Sequence, residues 1–136
     1  MTYAAQAATE LLDALHHAHL LETRQRVYES IADLRYAARH EVEVMLPTLK
    51  AEIKRIGKAL EDARERGLNH GDVIYDELVR TIREVNHARA HNRQRIKDLA
   101  LDQAINKAAL AELNREISYF EAEGLELEVE QIINYH

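Results

Sequence analysis

A chain of 136 residues has room for one ordinary domain and not for a catalytic domain with a regulatory one beside it. It is 46% hydrophobic, 31% charged and 5% aromatic with four Gly and one Pro, too few turn residues for a strand-rich fold, and the absence of cysteine excludes disulfide scaffolds, thiolate metal sites and cysteine nucleophiles. A formal charge of −6 at pH 7 argues against a dedicated nucleic-acid binder, and the lack of a long apolar run or a basic-then-apolar leader implies a soluble protein, expected in the cytoplasm and without a membrane partner.

The first predicted element is a helix over residues 1–21, in which Ala4, Ala8, Leu11, Leu12, Leu15 and Ala18 make an apolar face rich in small residues. A long helix is expected over 22–66. Its seam runs through Val27, Ile31, Leu34, Ala38, Val42, Met45, Leu49, Ile53, Ile56 and Leu60 in steps of three and four. Leu20, Ile31, Val42 and Ile53 also fall on an eleven-residue period, which favours nearly straight or slightly right-handed packing. Pro47 interrupts this run, since it cannot donate to the Glu43 carbonyl; the helix is kinked or broken there, and the unchanged phase on both sides favours a kink.

The turn predicted at 67–71 has Gly67 as a left-handed C-cap and is followed by Asp72 as the next N-cap. From Asp72 no Gly or Pro occurs before Gly124, an interval that accommodates one helix of about 50 residues, roughly 75 Å long. Its seam is Leu78, Ile82, Val85, Arg89, Asn92, Ile96, Leu99, Gln103, Asn106, Leu110, Leu113, Ile117 and Phe120. The tail 124–136 alternates apolar and acidic residues over 125–130, a strand pattern, yet Leu125, Val129, Ile132 and Ile133 also keep helical spacing; a short helix or loose tail is favoured because a lone strand has no partner.

These elements predict an all-α fold. A long antiparallel helical hairpin forms a coiled-coil-like arm, and the N-terminal helix packs on its base to give a three- or four-helix bundle. That helix is the expected cover for Ala100, Leu101, Ala104, Ile105, Ala108 and Ala109, which widen the long helix's stripe; Leu11, Leu15, Leu99, Leu110, Leu113 and Ile117 would form the base. Dimerisation is expected because a lone two-helix arm buries little surface against a backbone entropy cost of roughly 1–2 kcal/mol per residue.

The polar seam residues Arg89, Asn92, Gln103 and Asn106 have a sharp reading: Asn92, Gln103 and Asn106 fix register or oligomeric state, as a buried Asn does in coiled coils. Alternatively, Ala88 and Ala104 turn to the interface and the polar groups move to its rim. Charge is uneven, with six basic residues and the single acid Glu84 between Arg80 and Lys97. Folding back about the turn brings Lys50, Lys54, Arg55 and Lys58 near Arg80 and Arg83, a basic girdle that, with Arg89 and Arg93 as further contact residues, suits a partner protein or phosphate, or is simply a solvated surface.

Glu84, His87 and His91 share a helix face, and Glu84 with His87 matches one copy of the Glu-x-x-His pattern of diiron bundles. The second copy is missing, so these are weak metal candidates and no metal or other cofactor is expected. His16, His17 and His19 read as polar flanks of the first helix, with a pH-sensitive contact as the functional alternative. No phosphate loop, nucleophile elbow or zinc-protease helix occurs.

The function expected is therefore a non-enzymatic helical interaction module, an adaptor, inhibitor or small structural subunit of accessory or phage type, acting on an unidentified protein partner and pairing as a homodimer. A nucleic-acid-associated protein using the girdle is the alternative, and a metal-binding bundle the second alternative.

Overall fold

The computed structural model describes residues 2–135, with side chains through Glu123. The chain is helical almost throughout: α1 (Tyr3–His40), a π-helical segment (Glu41–Met45), α2 (Leu46–Glu65) and α3 (Val73–Tyr135). No strand occurs among the described residues. The side chains of the ambiguous tail lie outside the described residues.

The chain divides into two units, a terminal unit of Met1–Asp33 with Gln103–His136 and a hairpin unit of Leu34–Asp102. In the terminal unit α1 and α3 run antiparallel, with His17 opposite Glu121 and Arg24 Nη1 donating to Asn114 Oδ1 at 3.4 Å. Leu20, Ile31 and Ile117 are its buried apolar residues among those described. The all-α hairpin is what forms, but the N-terminal segment opens α1 and is not a separate helix. No Gly or Pro interrupts it near residue 21, and the Thr23 hydroxyl donates back to the His19 carbonyl at 2.9 Å without breaking the helix. A segment continuous with α1 cannot fold back as a third layer, so Leu11 and Leu15 are exposed where the base was expected.

In the hairpin unit α2 ends in a Schellman motif: Leu68 N–H donates to Ala63 O at 3.0 Å and Gly67 N–H to Arg64 O at 3.0 Å, with Gly67 at φ +82°. Leu68 then packs on the cluster of Leu60, Ala63 and Tyr75, joined by Leu78, Val79 and Ile82. The Tyr75 hydroxyl accepts from Arg64 Nε at 3.2 Å, which satisfies the polar end of a buried ring. Asp72 stands just before α3, but its carboxylate turns back to accept from Asn69 N–H at 2.9 Å and so closes the turn rather than capping α3.

Every member of the predicted α3 seam from Leu78 to Phe120 is buried or half-buried, and so are those of the earlier seam, with one exception. Val42 is 46% exposed. It lies in the π segment, where Leu46 N–H donates five residues back to Glu41 O. One extra residue in the turn rotates Val42 and Val44 outward and brings Glu41 in. The bulge places Pro47 in the first turn of α2, where a missing N–H costs little, so the helical path is not broken.

Candidate interaction site

The inward turn of Glu41 creates a polar centre on the seam of the hairpin unit. Asn92, 2% exposed, donates through Nδ2 to Glu41 Oε2 at 2.6 Å and to the Glu41 carbonyl at 3.2 Å. Arg95 Nε donates to Glu41 Oε1 at 2.9 Å, so both carboxylate oxygens are engaged. The Glu41 side chain is 14% exposed, a position tolerable for a carboxylate only with such partners. Asn92 Oδ1 and Arg89 Nε are buried and accept or donate no hydrogen bond among the described residues. Sequence reasoning placed Asn92 on the seam and missed Glu41, which stands one residue from the expected Val42.

The other polar seam residues, Gln103 and Asn106, are half-buried in the terminal unit, whereas Ala88 and Ala104 are exposed and do not take over the interface. Arg89 is also half-buried on the seam and so does not belong with the surface cations. Lys54, Arg55, Lys58, Arg80, Arg83 and Arg93 are exposed. Arg55 pairs with Glu52 at 2.6 Å and Arg80 with Glu77, while Lys54, Lys58, Arg83 and Arg93 make no ion pair among the described residues.

At about 100° per residue, Lys54 and Lys58 lie on the back of α2 and Arg80 and Arg83 on the back of α3, each turned away from the seam. The expected girdle is therefore two basic patches on opposite sides of the hairpin unit. On the α3 side the basic residues continue to Lys97, and Leu101 beyond them is exposed. A shallow open depression of about 310 Å³ near the start of α3 is lined by Val73, Asp76, Glu77 and Arg80; it presents no nucleophile with a base.

Glu84, His87 and His91 are all exposed. No group of three or more His, Asp or Glu side chains able to hold a metal forms among the described residues. In the terminal unit the histidines do something else: His17 stacks on Phe120 with ring centroids 5.3 Å apart and sets Nε2 3.3 Å from Glu121 Oε1, while His16 tilts on the same ring at 5.9 Å. His19 is exposed. These contacts tie α1 to α3 near the edge of their seam.

Apolar surface is the remaining feature. Among the described residues thirteen large hydrophobic side chains are exposed, outside the seams that hold the helices together. No helix among the described residues is long and apolar enough to cross a membrane. Comparison with protein-family models, with curated proteins and with solved structures gives no match.

Proposed function

We propose that the chain is a non-enzymatic helical interaction module, an adaptor, inhibitor or structural subunit acting in the cytoplasm. It docks on a protein partner through the back of α3 in the hairpin unit. The observation that supports this reading is the set of thirteen large hydrophobic side chains exposed on helices whose seams are already satisfied. Arg83 on that back and Arg93 nearer the seam lack a carboxylate partner among the described residues, and Leu101, in line with Arg83, supplies an apolar anchor, so the fitting partner has an acidic rim around an apolar groove.

The test is affinity capture from native lysate with nuclease present, using the wild-type chain, an Arg80→Glu/Arg83→Glu/Arg93→Glu variant and a Lys54→Glu/Lys58→Glu variant. A discrete protein retained by the wild type and by the α2 variant, and lost by the α3 variant, is the expected result. Capture that depends on intact nucleic acid would instead favour a phosphate-binding role, and equal retention by all three chains would rule out the α3 face.

A further inference from the structure

The N-terminal part of α1 carries a surface that neither the hairpin unit's docking face nor the antiparallel seam uses. Every residue from Thr2 to His16 is exposed, yet Glu10 and Asp13 are the only acids among them and there is no Lys or Arg. Leu11, Leu12 and Leu15 are 61%, 66% and 58% exposed. A helix face that faces only water is ordinarily dressed with charge.

The position of this face decides what can cover it. At about 100° per residue, Ala4, Ala8, Leu11, Leu15 and Ala18 fall within an arc of about 80°, centred opposite the line of His17, Leu20, Arg24 and Ile31. That second line is the one that meets α3 in the terminal unit, through Glu121 and Asn114. The apolar stripe is thus on the far side of α1 from its own α3. Glu10 and Asp13 belong to the α3 side and leave the stripe free of charge.

We infer that a second copy of this chain covers the stripe, α1 against α1 and antiparallel, with Leu11 near the two-fold axis. The stripe is complementary to itself in that arrangement. Leu11 meets its own copy at the axis, Leu15 of one copy lies over Ala7 and Ala8 of the other, and Ala4 over Ala18, so that away from the axis each leucine meets small residues and the alanines allow close approach. No acid of one stripe faces an acid of the other. Such a contact closes on itself and leaves the dimer with no unmatched edge. The apolar area removed, on the order of 1,000 Å² over both copies, is near the lower bound for a specific interface, which implies a dimer that dissociates on dilution. The inference rests on the interaction-module reading but uses a different surface, so the two fail separately.

The absence of cysteine makes the test direct. Leu11→Cys introduces the chain's only thiol, and two thiols near a two-fold axis come within disulfide reach. Mild oxidation of the full chain is expected to yield a covalent dimer with Leu11→Cys and not with Ile105→Cys, a substitution on the exposed back of α3. Sedimentation equilibrium is expected to show a wild-type dimer that a Leu11→Glu/Leu15→Glu variant loses with its helical circular dichroism unchanged. A monomer at every concentration overturns the inference, as does cross-linking of Ile105→Cys in preference to Leu11→Cys. Loss of a captured foreign protein by Leu11→Glu/Leu15→Glu, with a wild-type chain that stays monomeric, would assign the stripe to that protein instead. Failure of the dimer leaves the effect of the α3 charge reversals on capture intact, which keeps the two readings apart.

Discussion

Glu41 and Asn92 depend on each other. The Asn92 amide gives both of its observed bonds to Glu41, one to the carboxylate and one to the carbonyl that the π turn holds in place. Replacing Glu41 by Leu leaves Asn92 Nδ2 with the Glu41 carbonyl alone, and replacing Asn92 by Leu leaves Glu41 with Arg95 alone, each losing a buried hydrogen bond to a charged group worth about 1.5–3 kcal/mol. Removing both leaves no unsatisfied pair, only Arg95, which is half exposed and reaches water. We expect Glu41→Leu and Asn92→Leu each to lower the unfolding free energy by about 1–3 kcal/mol, and the double variant to cost less than their sum by about 1 kcal/mol. Urea titration of the four chains measures this. Additive costs would mean that the two side chains act independently and that the bulge, not the pair, holds Glu41 inside.

Gly57 inside α2 and Gly67 just past its end answer to opposite demands. Gly57 is in the helix interior with nothing within 4 Å of a Cβ added to it, so Gly57→Ala is expected to stabilise by about 1 kcal/mol through propensity alone. Gly67 is equally open but holds φ +82°, and Gly67→Ala is expected to cost about 1–2 kcal/mol by forcing a side chain into the left-handed region. Thermal melts of both variants should move in opposite directions; a shared direction would contradict the backbone argument. The turn was legible in the sequence because Gly67 and the run of helix formers before it carry local signals. The α3 seam was legible because packing against one antiparallel partner imposes an even step from Leu78 to Phe120. The π turn was not, since a bulge leaves the apolar period in phase on both sides and shows only as a misplacement of Val42. Nor was the continuity of α1: its two apolar stripes look like two helices when both are assumed to be buried within one chain. For the metal candidates Glu84, His87 and His91, spacing on one helix says nothing of a second helix bringing ligands to it, and no group of three ligating side chains forms among the described residues.

The two units differ in what they bury. The hairpin unit buries Ile56, Leu60, Ala63, Tyr75 and Leu99, whereas the terminal unit buries Leu20, Ile31 and Ile117 among its described residues and adds the His17, Phe120 and Glu121 contacts at the seam's edge. Each fully buried Ile or Leu is worth about 1.5–3 kcal/mol relative to exposure. Among the described residues the terminal unit thus has fewer fully buried side chains than the hairpin unit to set against the entropy of ordering its helices. Local opening is therefore cheaper in the terminal unit, and a second copy docked on Leu11 and Leu15 would raise its cost by mass action. Amide hydrogen exchange of the full chain reads this out. Amides near Ile56 and Leu60 should exchange slowly and at a rate independent of protein concentration. Those of residues 5–18 should exchange faster in dilute solution and slow progressively as concentration rises through the dimer's dissociation constant, a response that Leu11→Glu/Leu15→Glu abolishes. Exchange over 5–18 that ignores concentration would show that the terminal unit draws its order from its own seam alone, leaving the exposed leucines without a role in its stability.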